Sequence, residues 1–425
     1  MNILVLTGWF RYALKSSLNL GDAAQLQSTL ERIQQFFPDA RIVALANSIH
    51  DLPSIHEIDI SHTLVQFISG STSGGYSKWI LAAMRAGLLL MNASRMKRAK
   101  GPIALQGNGK DALRLIADSD AIFVSGVGLF NDTFGARVGA IWALVMRLAN
   151  ILGKPVVVSG QQIGPLNSLL PHVIAKWGLQ VASVVGVRDP ISLRNAVKLG
   201  IPASKVVLTG DDAWDLKASR NDEIMPLLRG IGISDQFVAA QVRFDRATQW
   251  TDADAPTLAL MIDHLCVLCD APALFLRTHY ASDKDDLDAA RAVQAHMKSV
   301  SYLMEEELSA GQTKAIIGFA RAGIGVSYHF CVFSCSSGVN TIGLYRSAYM
   351  NQKMRGLTEL CPDCMVGVNL SKPTDLIAGQ RRLEKFISRT KSKGGSPHIS
   401  ACKPRCQSTA ALEVLMSKLG FKANG

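Results

Sequence analysis

The sequence predicts an α/β protein with two doubly wound parallel-sheet domains that face a cleft. Two observations support this fold class. Short apolar runs alternate with helical patterns along almost the whole chain, which is typical of parallel strands joined by crossover helices. The chain also has 425 residues, more than one domain usually contains, so we expect two successive series of such units.

Each half of the chain contains six predicted strands. In the first half they are Asn2–Leu6, Arg41–Ala46, Ala121–Val124, Pro155–Gly160, Val184–Val187 and Val206–Thr209. In the second half they are Phe237–Val242, Ala273–Arg277, Ser301–Leu303, Ile324–Val326, Thr341–Tyr345 and Val366–Val368. Helical patterns include Ala23–Phe36 and two apolar stretches, Trp79–Ala93 and Gly139–Gly153. Each apolar stretch contains an arginine and is shorter than the roughly 20 residues of a membrane span.

Polar and glycine-containing stretches predict the domain boundaries. The weakly periodic segment around residues 216–236 separates an N-terminal domain, residues 1–220, from a C-terminal domain, residues 221–387. Residues 388–425 are expected to form a basic loop, rich in Gly, Ser and Pro up to Cys406, and a C-terminal helix. The start "MNILVLTGWF" has neither a basic leader nor a cleavage site, which predicts a buried first strand and a cytoplasmic protein.

The formal net charge of +11 favours acidic partners, namely phosphorylated metabolites, anionic lipid headgroups or nucleic acid. Nucleic acid is the least favoured, because the positive charge is dispersed and no basic motif has interleaved aromatic residues. The basic segment Ser94–Gly101 predicts either peripheral contact with an anionic membrane or a solvated loop.

The eight cysteines form four close pairs in the sequence. Cys361, Cys364, Cys402 and Cys406 have short spacings that could supply four thiolates to zinc. The alternative, which we favour, is that these thiols are reduced, that the other two pairs are buried, and that there is no metal site.

Two glycine-containing motifs in the first half resemble ligand-binding turns. In "NLGDAAQ", Asn19 and Asp22 stand at a helix start that could bind an anion or a sugar hydroxyl, unless Asp22 simply caps the helix. In Asp118–Asp132, a buried strand leads to Gly126 and Gly128. The third glycine of a dinucleotide fingerprint is missing, which argues against NAD binding.

Polar side chains also follow two later strands of this half. Gln161 and Gln162 come directly after a strand, where neutral amides suit sugar hydroxyls, although a turn explains part of the pattern. Arg188 ends a buried strand and could clamp a carboxylate or phosphate. The alternative is an ion pair between Arg188 and Asp189 or Asp211.

The second half places a histidine between a strand and an apolar helix that we expect from Phe330. His329 could transfer protons, because the ordinary pKa of histidine is near neutrality. Arg243 ends an earlier strand, and Lys353 and Arg355 lie in a segment, Tyr349–Gly356, that we interpret as irregular. These cations could close over an anion held at the start of the helix.

With these motifs in place, the sequence resembles the polysaccharide pyruvyl transferase family. The resemblance runs from "NLGDAA" through "SGVGLFND", "GKPVVVSGQQIGP", "VRDPIS" and "LTGDDAWDL" to "GVSYHFCVFSCSSGVNTIGLYRSAYMNQKMRGL". It implies a fold similar to the B-type glycosyltransferases, with the acceptor on the N-terminal domain and the donor on the C-terminal domain. It also implies transfer of pyruvate from phosphoenolpyruvate to a sugar as a ketal, in surface polysaccharide biosynthesis.

The resemblance implies roles for individual residues. His329 is expected to be the acid/base. The donor-binding residues are expected to be Arg188, Arg243, Lys353 and Tyr328. The acceptor-binding residues are expected to be Asn19, Asp22, Gly126, Gly128, Gln161 and Gln162. Many members have an arginine two residues before the histidine, where this chain has Ser327, so another cation would have to bind the donor.

The expected partners are phosphoenolpyruvate and a lipid-linked or nucleotide-linked saccharide, with no cofactor or metal. Peripheral contact at the inner membrane face is an accompanying expectation. Two alternatives remain: a nucleotide-sugar glycosyltransferase on the same fold, and a non-catalytic glycan-binding relative.

Overall fold

The structure, a computed structural model, describes residues 1–7, 18–45, 59–60, 77–98, 105–133, 136–281, 285–372, 375–392 and 407–420. The chain divides into two compact units. Unit 1 comprises Met1–Ala13, Thr29–Asp212 and Cys406–Gly425, and unit 2 comprises Leu14–Ser28 and Ala213–Arg405.

Unit 1 is built on a parallel sheet of seven strands. Its strands are β1 (Asn2–Leu6), β3 (Arg41–Leu45), β4 (Asp59–Ile60), β5 (Ala121–Val124), β6 (Val156–Gln161), β7 (Val184–Val187) and β8 (Val206–Leu208). They are arranged in the order β4-β3-β1-β5-β6-β7-β8. The order reverses between β1 and β5, so the crevice at this switch point lies beyond their carboxyl ends.

Apolar side chains on both faces of this sheet are covered by helices. The helices that belong wholly to unit 1 are α2 (Ser77–Lys97), α3 (Asn108–Asp118), α4 (Ala136–Ile151), α5 (Leu169–Leu179), α6 (Pro190–Lys198) and α14 (Ala410–Lys418). Helix α4 packs against both α2 and α5, and α14 packs against β6 and β7. Leu4, Val124 and Val158 are at most 1% exposed, because strands buried on both faces need apolar residues at every position.

Unit 2 contains a six-stranded parallel sheet and a short antiparallel pair. The six strands are β9 (Val238–Gln241), β10 (Ala273–Phe275), β12 (Ser301–Leu303), β13 (Ala322–Gly325), β14 (Thr341–Tyr345) and β15 (Met365–Asn369). Their order is β12-β10-β9-β13-β14-β15, with the reversal between β9 and β13. The antiparallel pair is β2 (Leu18–Asn19) with β11 (His279–Tyr280).

Seven helices of the described chain surround this sheet, besides the start of α1 (Leu20–Phe36). They are α7 (Asn221–Gly230), α8 (Ala255–Cys269), α9 (Asp286–Gln294), α10 (Ala310–Gly318), α11 (Tyr328–Ser336), α12 (Ala348–Leu360) and α13 (Asp375–Ser392). Short 3-10 turns occur at Ala203–Lys205, Asp212–Asp215 and Asp252–Asp254.

The predicted fold class is confirmed, and all six strands expected in each half are present with small shifts at their ends. The irregular segment expected over Tyr349–Gly356 is wrong, since these residues lie in α12. The hydroxyl of Ser347 caps this helix by accepting a hydrogen bond from Met350 N at 3.1 Å. The helix at His329 also begins earlier than expected, at Tyr328 rather than Phe330.

The division of the chain differs in detail from the expected ranges. It falls after Asp212, and α7 occupies part of the stretch interpreted as a boundary. Leu14–Ser28 groups with unit 2, and Cys406–Gly425 groups with unit 1. Most of the predicted basic loop lies outside the described residues.

Candidate functional site

His329 lies at the switch point of the unit 2 sheet. It follows β13 and is the second residue of α11. The neighbouring strand β9 pairs with β13 in parallel, with Gln241 opposite Gly325. Ligands in open α/β sheets bind beyond the carboxyl ends of the strands at such a reversal. The sequence therefore delivers a titratable side chain to the expected binding crevice of this unit.

The start of helix α1 packs directly against the imidazole of His329. A Cβ atom added to Gly21 would lie only 1.8 Å from His329 Nδ1, so this contact requires glycine. Gly21 N donates a hydrogen bond to Asn19 Oδ1 at 3.0 Å, and Leu20 N donates to Thr278 O at 3.0 Å. Asn19 thus supports the helix start that backs the histidine.

Arg243 is held at the end of β9 by a buried carboxylate. Its Nε donates to Asp286 Oδ1 at 2.7 Å, and its Nη2 donates to Asp286 Oδ2 at 3.1 Å and to Thr278 Oγ1 at 3.0 Å. Among the described residues, Nη1 of Arg243 has no hydrogen-bond partner. The guanidinium is therefore fixed along one edge and retains N–H donors for an anion.

The ion pair between Arg243 and Asp286 and the burial of both groups shift their pKa values in opposite directions. Burial favours the neutral acid of Asp286, but Arg243 and the hydrogen bonds outweigh it and lower the pKa of this carboxyl. Burial likewise opposes the charge on Arg243, but Asp286 raises the pKa of the guanidinium, with smaller contributions from Asp245 and Asp22. Both groups are charged, and Asp22 adds negative potential near the arginine.

Hydrogen bonds connect the Asp286 carboxylate to the turn that precedes His329. Gln241 is fully buried, and its Nε2 donates to Asp286 Oδ2 at 2.7 Å. Its Oε1 accepts a hydrogen bond from Ser327 N at 2.8 Å. Asp286 also accepts from the backbone N–H groups of Thr278 and His279, at 2.9 and 3.1 Å. One carboxylate thus positions the arginine and, through Gln241, the residue two before the histidine.

The ring of Tyr328 contacts both the histidine and a lysine. The ring of Tyr328 is edge-on to His329, with ring centroids 5.2 Å apart. Lys353 Nζ lies 5.4 Å from the centroid of Tyr328 and 4.4 Å from that of Tyr349. Such cation–π contacts hold an ammonium group over the ring faces. Arg355, by contrast, is exposed on α12.

In unit 1, a buried aspartate organises the turn that contains Gly126. Asp212 Oδ2 accepts a hydrogen bond from Gly126 N at 2.6 Å. Its Oδ1 accepts from Ser159 Oγ at 2.6 Å and pairs with Arg32 Nη2 at 2.5 Å. A Cβ at Gly126 would lie 2.8 Å from Asp212 Oδ2, so the glycine makes room for this carboxylate. The carbonyl of Gly128 accepts a hydrogen bond from Asn131.

The remaining predicted residues of unit 1 are buried and bonded to protein groups. Arg188, 1% exposed, donates to Gln162 Oε1 and forms ion pairs with Asp189 at 3.6 Å and Asp211 at 3.5 Å. The ion-pair alternative for this arginine is therefore the one present. Gln161 Nε2 donates to Ser125 O at 2.6 Å, and Gln162 Nε2 donates to Gly164 O at 2.9 Å.

Six of the eleven predicted site residues belong to unit 2 and gather around the β9–β13 switch point. These are His329, Arg243, Tyr328, Lys353, Asn19 and Asp22. The other five, Arg188, Gly126, Gly128, Gln161 and Gln162, belong to unit 1. Asn19 and Asp22, expected in the N-terminal domain, therefore group with the histidine. The predicted cap role of Asp22 is wrong, because α1 begins two residues earlier, at Leu20.

Sequence reasoning missed the residues that position the others. Asp286 stands 43 residues after Arg243, and the sequence contains no local sign that they meet. Gln241 was visible as a polar residue at the end of an apolar strand, a signal that could have marked it. Asp212 follows β8 in the "GDD" motif, but only the structure relates it to Gly126.

The described residues contain no group of three or more His, Cys, Asp or Glu side chains arranged to hold a metal ion. Cys361 and Cys364 are buried, and Cys402 and Cys406 lie outside the described ranges. The four-thiolate zinc alternative is therefore not tested by the described residues, and the absence of a metal site stays a prediction.

The sequence model of the polysaccharide pyruvyl transferase family matches residues 19–348, which include the β9–β13 switch point and α11. The chain belongs to this family. The match confirms the resemblance stated from the sequence.

Similarity to solved structures supports the fold of this pyruvyl transferase family member independently of the sequence match. The UDP-GlcNAc 2-epimerase of Methanocaldococcus jannaschii is similar with a TM-score of 0.57 and 11% identity, over 98% of this chain and 99% of that one. The Neisseria meningitidis enzyme bound to UDP-GlcNAc has a TM-score of 0.56 and 12% identity, over 98% and 100%. Arabidopsis thaliana UGT89C1 complexed with UDP has a TM-score of 0.52 and 11% identity, over 98% and 99%. The predicted similarity to the B-type glycosyltransferase fold is confirmed.

No curated protein matches this family member in sequence. Among the helices of the described ranges, none has both the length and the apolar composition needed to cross a bilayer.

Proposed function

We propose that this member of the pyruvyl transferase family transfers the pyruvyl unit of phosphoenolpyruvate to two hydroxyls of a saccharide as a ketal. The observation that carries the proposal is the geometry of Arg243. One edge of its guanidinium, Nε and Nη2, is fixed by hydrogen bonds to Asp286, and Nη1 is available. This arrangement suits a carboxylate or phosphate bound at the switch point, next to His329. Family membership supplies the reaction class.

The reaction requires one proton donor and a site for negative charge. A proton adds to the methylene carbon of phosphoenolpyruvate and converts it to a methyl group, while the carbon that bears phosphate becomes cationic. The first sugar hydroxyl adds to that carbon and releases its proton. The second hydroxyl then replaces phosphate: the bond between this carbon and the phosphate oxygen breaks, and the proton of the second hydroxyl leaves with the phosphate. We assign the proton transfers to His329, since histidine accepts and donates protons near neutral pH.

The anion is proposed to bind in unit 2 between two cations. Arg243 provides a directional N–H donor, and Lys353 provides a second positive charge, 5.4 Å from the centroid of the Tyr328 ring. The N-terminus of α11 adds backbone N–H groups, and within the described residues the Ser327 hydroxyl does not cap them. Arg188 is not assigned to the donor, because its guanidinium is buried among Asp189, Asp211 and Gln162.

The acceptor is proposed to be a saccharide. Asp22 is placed close enough to Arg243 to affect its pKa, and its carboxylate can accept hydrogen bonds from sugar hydroxyls. The amides Gln161 and Gln162 keep few free groups for this purpose, since each donates to a backbone carbonyl. The expected acceptor contacts are therefore strongest at the start of α1.

Calorimetric titration of phosphoenolpyruvate tests the proposal. We expect binding to wild type, retained binding to His329→Ala, and loss of binding in Arg243→Gln. Arg277→Gln is the matched control, because Arg277 also ends a strand of unit 2 but is engaged by Asp285 at 3.6 Å and by the ring of Tyr280. The control should bind like wild type.

The possible outcomes separate the competing functions. Absence of phosphoenolpyruvate binding, with clear binding of uridine diphosphate, would contradict the proposal and favour a nucleotide-sugar enzyme. Binding that survives in Arg243→Gln would place the donor elsewhere. Turnover of phosphoenolpyruvate with an acceptor that persists in His329→Ala would remove the histidine from the chemistry.

A further inference from the structure

Helix α2 presents a row of exposed apolar side chains on one face. Leu81, Met84, Leu88 and Met91 are 39%, 60%, 42% and 46% exposed. Their spacing of three, four and three residues places them on one side of the helix. The opposite side is buried in the core of unit 1, where Leu89 and Ala93 are fully covered. The exposed row is therefore not needed to pack α2 onto its own unit.

The sequence around α2 carries positive charge with no negative charge. Between Asp59 and Asp111 the chain has no Asp or Glu. The same stretch contains seven basic residues: Lys78, Arg85, Arg95, Lys97, Arg98, Lys100 and Lys110. Arg98 N donates to Ser94 O at 3.3 Å, so the last helical turn continues to this residue. Arg98 is exposed and lies seven residues after Met91, which puts it on the side of the apolar row. Apolar and basic groups thus share one surface.

We propose that this surface, formed by the exposed apolar row of α2 and its basic C-terminal end, binds an anionic membrane. The apolar side chains would enter the boundary between headgroups and acyl chains, while Arg98 would contact phosphate headgroups. Lys97 is the last residue of α2 and is exposed, so its long side chain can reach the same headgroups from the helix end. A second copy of the chain fits less well, because its own α2 has no acidic residue to pair with these cations. The helix lies on the bilayer and does not span it.

Sedimentation with lipid vesicles tests the surface. The full chain is mixed with phosphatidylglycerol vesicles or with phosphatidylcholine vesicles, and we expect it to sediment with the first alone. Replacing Met84 and Met91 by Gln should weaken binding about tenfold or more, since about a hundred Å² of apolar surface per side chain no longer leaves water. The matched control replaces Leu260 and Val267 by Gln. These two residues are also seven apart and 43% and 75% exposed, on α8 of unit 2.

The charge is tested separately. Lys97→Gln with Arg98→Gln should weaken binding roughly 25-fold, because each basic side chain near an anionic surface strengthens binding about fivefold. Arg381→Gln with Arg382→Gln removes the same charge from an exposed part of α13 and should have little effect. Circular dichroism verifies that each variant is folded.

Three results would overturn the proposal. The first is that the chain sediments to the same extent with phosphatidylcholine and phosphatidylglycerol vesicles, or with neither of them. The second is unchanged binding of the α2 variants, or an equal loss in their controls. The third is self-association without lipid that disappears in the variant with Met84 and Met91 replaced, which would make the surface an interface between copies of the chain.

Discussion

Replacing Asp286 by Asn tests the hydrogen-bond network at the unit 2 switch point. This carboxylate is 1% exposed and accepts hydrogen bonds from Arg243, Gln241, Thr278 and the backbone N–H of His279. Asparagine has almost the same shape, but it replaces one acceptor oxygen by a donor and leaves Arg243 without its counter-ion. Removing one partner of a buried ion pair lowers the free energy of unfolding by about 3–5 kcal/mol.

Urea denaturation of wild type and Asp286→Asn measures this difference. The double variant with Arg243→Gln provides the internal control, because removing both charges leaves neither one buried alone. We expect the double variant to lose less stability than the sum of the two single variants, by at least about 1 kcal/mol. Additive losses, or a loss below about 1 kcal/mol in Asp286→Asn, would refute the network.

Acidification gives an independent measurement on the same variant. The pKa of Asp286 is lowered in the folded state, chiefly by Arg243 acting against burial. Its stabilising contribution is therefore complete above the ordinary aspartate pKa near 4 and is lost as pH falls through the folded value. The stability difference between wild type and Asp286→Asn should shrink in this acid range. A difference that is constant with pH would contradict the assignment of the charge.

Three further predictions concern single residues of unit 2 and one control glycine of unit 1. Gly21→Ala should reduce kcat about 100-fold or more by displacing His329, whereas Gly87→Ala should retain activity, since nothing lies within 4 Å of the added Cβ. Burial lowers the pKa of Lys314 to about 8. Between about pH 8 and 10 the Lys314 side chain is protonated in the unfolded state and largely neutral in the folded state, so its contribution to the free energy of unfolding rises with pH. Urea midpoints should show this contribution in wild type and not in Lys314→Met. Lys353→Met should weaken phosphoenolpyruvate binding about tenfold, with a reduced dependence on salt; unchanged affinity in calorimetry would exclude this lysine from the donor site.

The main strands could be predicted because parallel strands buried on both faces are almost continuous apolar runs. Ala121–Val124 and Thr341–Tyr345 were predicted with the bounds that the structure shows. The two-residue strands β2, β4 and β11 are too short to produce a pattern. Helix α12 was missed because polar residues and Gly356 weaken its period, although Ser347 carried the signal of a helix cap.

The site was predictable only as far as strand ends are visible in a sequence. His329 and Arg243 were found because each follows an apolar run. Whether an arginine at such a position faces a ligand or a carboxylate depends on contacts between distant segments. Arg188 and Arg243 look alike in sequence, yet the first forms ion pairs with Asp189 and Asp211, close to it in the chain, and the second with the distant Asp286.

The contact between Gly21 and His329 also ties together two segments that are far apart in the sequence. The imidazole occupies the space that a side chain at residue 21 would need, so the starts of α1 and α11 fit together only around a glycine. The pairing of β2 with β11 and the hydrogen bond from Leu20 N to Thr278 O hold the start of α1 in this position. A substitution in this short N-terminal segment would therefore disturb the histidine, although about 300 residues separate the two in the chain.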